Sequence, residues 1–467
     1  MDPARRGDRT MIEPARAEPA PYRGPADERA GRVAPAGARP ARPAARAKAA
    51  RPRAGADGAA APAALLPLEE ACARAAAACR PVTEAETVAL ALASGRVLAE
   101  PVRAARACPP SDRSAMDGYA VAAGQGLAAG TVLRVRGRIA AGEAGEALAP
   151  GIAARIFTGA PLPPGADAVV MQEHATVSGD ALRLGGTVAP GDHVRRRGED
   201  VMPGDGLAAA GTLLDPRRIA LLAAQGIGTV RVRRRLRVAV LSTGNELRGP
   251  GEDGREDSGT FDTNRPMLIA LLGGMGLEVV DGGRVRDEPA ALARALRDLA
   301  ARADLVVTTG GASVGEEDHA AGSLRLAGGT GETLALDLKP GKPAVVGRIG
   351  AAACLGLPGN PVSALVSFSL LGRAMLARLE GRDFARPQGL PLPLAHAFRR
   401  KPGRTEFMPA RLVPGPQGPA LALLGSTSAR LAPLVEADGF VEVPASLASG
   451  APGEPVAFHP FGGLLGA

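Results

Sequence analysis

Two short runs in the second half of the chain, Thr308-Thr309-Gly310-Gly311-Ala312-Ser313-Val314-Gly315 and Leu357-Pro358-Gly359-Asn360-Pro361-Val362-Ser363, have the composition of phosphate-holding turns. Each follows an apolar, strand-like stretch and precedes helical sequence. Open α/β sheets hold phosphorylated ligands at such places, because glycines let backbone N–H groups approach an oxyanion closely. Between the two runs, Lys339-Pro340-Gly341-Lys342-Pro343 adds two cations on a backbone that proline and glycine restrict. The pattern reads as a phosphate-handling protein. Gly310, Gly311, Ser313 and Gly315, then Lys339 and Lys342, then Pro358, Pro361 and Ser363 are its candidate ligand-binding residues.

Carboxylates come next. Asp117 in Ser114-Ala115-Met116-Asp117-Gly118-Tyr119, Glu199 and Asp200 after three arginines, Glu246 after Thr243-Gly244, and Asp318 after the first glycine run all sit at expected turns or strand ends. Such groups hold Mg²⁺ against phosphate oxygens, since hard cations prefer oxygen ligands. An Asp beside a Gly equally well just makes a turn. The five histidines, at 174, 193, 319, 396 and 459, form no HxxxH pair, which leaves a zinc hydrolase or a histidine-dependent triad without support. The four cysteines show no CxxC spacing, so no disulfide framework or zinc knuckle is indicated.

The elements that must position these residues are bounded by composition. At 467 residues the chain has room for two to four domains. It has no Trp and two Tyr, so stacking on nucleic-acid bases has almost nothing to work with, and no nucleic-acid partner is expected. The formal charge of +8 belongs to a tail: residues 1–53 hold 13 Lys or Arg against 6 Asp or Glu. This Ala/Pro/Arg-rich segment lacks hydrophobic periodicity and is expected to be disordered. A solvated extension, or a start at Met11, is a simpler reading of it than a tether to an anionic surface. No apolar leader and no uninterrupted apolar run of about 18 residues appears, so a soluble, cytoplasmic protein without a membrane partner is expected.

Along the chain, 64–100 reads as helical and 101–190 as all-β, with strands at 132–135 and 168–171; a helix over 217–225 ends at Gly226. A different pattern starts at Leu236. Strand 238–241, a helix opening at 262–266, strand 277–280, helix 289–303, strand 304–308 and helix 361–379 alternate as a doubly wound α/β domain. Proline-punctuated short strands follow beyond Phe384. The predicted organisation is a tail (1–60), an elongated N-terminal region (61–100 and 191–235), an inserted β domain (101–190), the α/β domain (236–384) and a β-barrel-like C-terminal domain (385–467).

Eight runs in order resemble one family. Ser114 to Ala120, Phe157-Thr158-Gly159-Ala160-Pro161 with 165–173, Arg197-Gly198-Glu199-Asp200, Ser242-Thr243-Gly244-Asn245-Glu246-Leu247, Asp262-Thr263-Asn264, the glycine loop 310–315, 339–343 and 357–363 are similar to motifs of the molybdopterin molybdenumtransferases, the molybdenum insertases that include MoeA and the E domain of gephyrin. The resemblance covers about residues 64–460. It implies an elongated helical region, a β insertion, a molybdopterin-binding α/β domain and a C-terminal β domain. It also implies the last step of molybdenum cofactor synthesis, in which molybdate is inserted into adenylylated molybdopterin and the adenylyl bond is hydrolysed to release AMP.

In that reaction Asp117, Thr158, Asp200, Glu246 and Asp318 are the implied catalytic residues, and Glu246, Asp287 and Asp318 the implied Mg²⁺ ligands. Thr243 and Asn264 join the loop residues as substrate-binding groups. Lys339 and Lys342, with Ser363 and Arg404, Ser428 and Arg430, are expected to take the molybdate dianion. The family further implies a homodimer whose sites lie between subunits, with Asp117, Thr158 and Asp200 reaching the site of the partner. Its functional partners would be a molybdopterin adenylyltransferase and recipient molybdoenzymes. Two positions depart from the family: Phe261 stands where an aromatic hydroxyl is common, and His319 where an aromatic is. An adenylyltransferase-like activity of the α/β domain alone, or a scaffold that kept the fold without the chemistry, stand as alternatives.

Overall fold

Apart from Arg237 at its start, every residue of the strand Arg237–Thr243 is buried, as an apolar run must be when a parallel strand is covered on both faces. A computed structural model describes residues 65–252, 259–311, 319–425 and 427–464. In it this strand lies within a six-stranded sheet, in the order Glu278–Val285, Arg237–Thr243, Leu305–Thr309, Ala352–Leu357, Pro343–Ile349, Thr330–Ala335. The first four strands are mutually parallel, Pro343–Ile349 runs antiparallel to them, and Thr330–Ala335 pairs antiparallel with Pro343–Ile349.

Helices cover both faces. Asn264–Gly274 and the long helix Pro361–Leu379 pack on one side together with Leu68–Ala77, around Val238, Val240, Leu268, Leu355 and Phe368. Pro289–Ala300 and His319–Leu326 pack on the other, around Leu241, Leu292, Leu296 and Leu324. The α/β reading is therefore a doubly wound sheet. Helix Pro361–Leu379 is long and apolar enough to cross a membrane, yet 89% of that stretch is buried inside the protein as a core helix.

Asp304 fastens two of these strands at their starts. Its carboxylate accepts both terminal N–H groups of Arg234 at 2.8 Å and the backbone N–H of Arg237 at 2.8 Å. Burial pushes this carboxyl up, but those donors outweigh it and hold the group below the ordinary carboxylate range.

A second six-stranded sheet, in the order Ala168–Met171, Gly118–Val121, Ile152–Ile156, Val132–Ile139, Ala181–Leu184, Ala175–Ser178, has its own core of Val121, Leu133, Val170 and Leu182. A third sheet runs Leu338–Lys339, Thr405–Gly415, Gly439–Val443, Pro455–Pro460, Leu390–Pro393. Its first strand comes from the segment between the glycine runs and pairs in parallel with Thr405 and Glu406. That pairing carries the two-lysine segment onto the C-terminal sheet.

One expectation fails locally. Of 64–100, Leu68–Ala77 is α-helical and Leu90–Leu92 a single 3-10 turn, whereas Ala85–Ala89 is a strand paired antiparallel with Thr229–Arg233. Pro81 interrupts helical backbone hydrogen bonding, and β-branched Thr87 and Val88 fit a pleated partner strand. The strands Thr330–Ala335 and Pro343–Ile349 escaped the sequence reading, being broken by glycine and proline rather than continuously apolar.

Candidate functional site

The parallel strands Arg237–Thr243 and Leu305–Thr309 end side by side, and their last residues open onto a cavity of about 990 Å³. Its position outside the carboxyl ends of the strands is where doubly wound sheets bind ligands. Thr243, Gly244, Glu246, Asn264, Asp287, Gly310, Gly311, Lys339, Lys342, Pro358, Pro361 and Ser363 line it, with Arg404 and Ser428 of the C-terminal region.

The turn at Gly310 must be glycine. Its φ is +93°, and a Cβ there would sit 2.1 Å from the Thr243 carbonyl oxygen. Close approach of the two strand ends thus depends on a missing side chain. Asn264, buried at the start of its helix, ties the neighbouring turns together: its Nδ2 donates to Thr309 Oγ1 at 2.7 Å and to the Gly359 carbonyl at 2.7 Å. Thr309 Oγ1 in turn donates to the Pro358 carbonyl at 3.2 Å. The Asn264 Oδ1 atom is buried without a hydrogen-bond partner among the described residues, an acceptor left over for a ligand donor.

Carboxylates line the cavity. Thr243 Oγ1 donates to Asp287 Oδ1 at 3.1 Å, and the Asp287 backbone N–H donates to Asn245 Oδ1 at 3.2 Å, so Asp287 is held from two directions. Glu246 lines the same cavity. Among the described residues no group of three or more His, Cys, Asp or Glu side chains forms a metal cage. Glu246 and Asp287 are oxygen donors of the kind a hard divalent cation prefers.

Cations face them. Lys339 is ion-paired with Glu406 at 2.8 Å, and Arg404 donates through Nη1 to the Leu338 carbonyl at 3.1 Å. The Val362 backbone N–H donates to the Ser428 carbonyl at 3.2 Å, which docks the C-terminal region on the second glycine run. The arrangement offers fixed positive charge and turn backbone to a tetrahedral oxyanion, and carboxylates to a divalent cation.

Three of the sequence-predicted residues lie elsewhere in the chain. Asp117 accepts hydrogen bonds from the Thr158 backbone N–H and from Thr158 Oγ1, each at 2.8 Å, and neither residue lines the cavity. The Thr158 amide, then its hydroxyl, hold the Asp117 carboxyl below its ordinary value. Asp200 is gripped by Arg195 at 3.0 Å, and the same arginine holds Glu199 at 2.5 Å. Arg195, itself exposed, thus fastens that turn. Arg430 is exposed and outside the cavity lining. Ser313, Gly315 and Asp318 fall outside the described residues.

Thr309, which lines the cavity, and Glu406, which contacts the lining residue Lys339, were not anticipated. Thr309 ends a strand just before the glycines, a place where a buried hydroxyl is poised to clamp a turn. Glu406, a lone carboxylate opening the apolar run Phe407-Met408, is the stronger missed signal, because a buried charge requires a partner.

The chain is similar to known proteins in sequence and in fold. The family profile for the MoeA N-terminal region (domain I and II) matches residues 66–226, that for a probable molybdopterin binding domain matches 239–378, and that for the MoeA C-terminal region (domain IV) matches 391–461. The molybdopterin molybdenumtransferase of Haemophilus influenzae is 36% identical over 318 residues, covering 67% of this chain and 78% of that one. Molybdopterin molybdenumtransferase 2 of Mycobacterium tuberculosis is 35% identical over 303 residues, 64% and 74% of the two chains. The solved structure of the molybdopterin biosynthesis moeA protein from Pyrococcus horikoshii OT3 superimposes with a TM-score of 0.70 at 28% identity, over 85% of this chain and 99% of that one.

Proposed function

The chain belongs to the molybdopterin molybdenumtransferase family, and from that premise we propose that its cavity holds adenylylated molybdopterin and molybdate together. The protein is a transferase of molybdenum cofactor biosynthesis: molybdate is inserted at the dithiolene of molybdopterin, and hydrolysis of the adenylyl bond releases AMP. The observation that carries this reading is the convergence, in one cavity, of glycine turns from two strand ends with Lys339, Lys342 and Arg404.

Each group has a task of its own. The turns at 310–311 and 358–361 bring backbone close to the pyrophosphate of the substrate. Lys339, Lys342, Ser363, Arg404 and Ser428 receive the molybdate dianion. Glu246 and Asp287, with Asp318, would hold a Mg²⁺ ion, which when bound offsets charge on the phosphate oxygens as the bond breaks. Thr243 fixes the orientation of Asp287 through the 3.1 Å hydrogen bond.

The site is completed by a second copy of the chain. Asp117 and Thr158 of the inserted β domain (101–190), with Asp200 of the elongated N-terminal region (191–235), do not line the cavity of their own chain and would enter from a partner in a homodimer. The enzyme works in the cytoplasm, between a molybdopterin adenylyltransferase and the recipient molybdoenzymes.

The test is AMP release from adenylylated molybdopterin by the purified protein, with and without molybdate and Mg²⁺. Molybdate-dependent release with formation of the cofactor is the expected result. Tight binding without release would replace the reading by a scaffold, and net synthesis of adenylylated pterin from ATP by an adenylyltransferase.

A further inference from the structure

The segment that presents Lys339 to the cavity is gripped from behind. Leu338 and Lys339 pair in parallel with Thr405 and Glu406, at the start of the strand Thr405–Gly415. Glu406 is 1% exposed and does not line the cavity, yet its Oε1 lies 2.8 Å from Lys339 Nζ. Its Oε2 lies 3.4 Å from Arg400 Nη1, and the Arg400 side chain is 5% exposed. Arg400 also donates to the carbonyls of Leu447 at 2.8 Å and Arg404 at 2.7 Å. Arg404, a wall residue of the cavity, returns a hydrogen bond to the Leu338 carbonyl.

From this geometry we infer that Glu406 is a positioning residue for oxyanion capture, acting through Lys339. The inference rests on the reading that Lys339 receives molybdate. The 2.8 Å ion pair anchors the ammonium at the end of a long, otherwise flexible side chain, so the charge is held at one place beside the cavity. A lysine paired only with a glutamate would present no net charge to a dianion. The buried Arg400 restores one positive charge to the triad, and it is also what makes a buried carboxylate tolerable.

Charge and position predict opposite signs. If Glu406 acted by charge alone, its neutralisation would make the site more positive and tighten anion binding. If it positions Lys339, its neutralisation frees a long, flexible side chain and weakens capture.

The experiment uses full-length protein and measures the molybdate KM for AMP release, together with equilibrium binding of molybdate, in Glu406→Gln, Lys339→Met and the double variant. Glu406→Gln is expected to raise the molybdate KM about tenfold, the scale of one close charge pair. The value of kcat should be largely retained, as for a lost binding interaction. In the Lys339→Met background Glu406→Gln should add nothing. An unchanged or lowered KM in folded Glu406→Gln, with Lys339→Met impaired, overturns the positioning role alone. A wild-type KM in Lys339→Met overturns the oxyanion assignment of Lys339 and the inference with it. Should Glu406→Gln fail to fold because Arg400 is left unpaired, the Arg400→Met/Glu406→Met variant removes both buried charges and decides by the same KM.

Discussion

Asn264 joins two turns through a single amide nitrogen, shared between Thr309 Oγ1 and the Gly359 carbonyl. Asn264→Ala would leave both acceptors short of a donor, at a cost of roughly 1–3 kcal/mol that urea unfolding would register. It should also reduce kcat/KM for adenylylated molybdopterin well beyond what that stability loss explains, because the turns it joins line the cavity. Unimpaired kcat/KM would demote Asn264 to a structural clamp. At this scale the sequence was readable wherever chemistry comes with punctuation: lysines framed by prolines, a threonine before a glycine, an asparagine at a helix start. Glu406 lacked such framing. Its significance arises from burial and from Arg400 and Lys339 on other segments, which no local spacing encodes.

The glycine turn after Leu305–Thr309 is possible because Gly310 takes a left-handed backbone against the end of the neighbouring strand. Gly310→Ala sets a Cβ on the Thr243 carbonyl and should push the strand ends apart. The expected outcome is loss of substrate binding by calorimetry and a lowered urea midpoint, whereas a fully active Gly310→Ala enzyme would mean the turn relaxes freely. Asp304 governs the other end of the same strands, with a carboxyl that is depressed in the folded state. Its contribution is therefore complete above about pH 4, the unfolded value, and is lost as pH falls through the depressed native one. Asp304→Asn should destabilise the protein by roughly 2 kcal/mol at pH 7, for loss of a partly buried charged pair. The difference from wild type should shrink as urea titrations are carried from pH 5 towards pH 2.5; a constant difference would remove Asp304 from the acid transition. Alternation of strand and helix from Leu236 onward was legible because apolar runs and helix starts are local signals. The strand Ala85–Ala89 was not, since its partner Thr229–Arg233 lies far away in sequence and supplies the pairing that decides its conformation.

For the molecule as a whole, a site shared between two copies makes a quantitative prediction. Asp117→Asn and Asp287→Asn change residues that sit apart in one chain but would meet across a dimer. If each is inactive alone, remixed subunits should recover about a quarter of wild-type activity, because half of the dimers are mixed and each mixed dimer keeps one intact site. No recovery after verified subunit exchange would confine the site to one chain. Only the family motifs imply that organisation, because nothing in the order of residues along one chain says which copy a side chain serves. The parallel pairing of Leu338–Lys339 with Thr405–Glu406 has a kinetic meaning too. It is a latch that ties the two-lysine segment to the C-terminal sheet, so amide exchange at these two short segments reports how often the pairing opens. A bound oxyanion bridging Lys339 and Arg404 would slow that clock, and a mass spectrometer can read the latch without any knowledge of the chemistry it encloses.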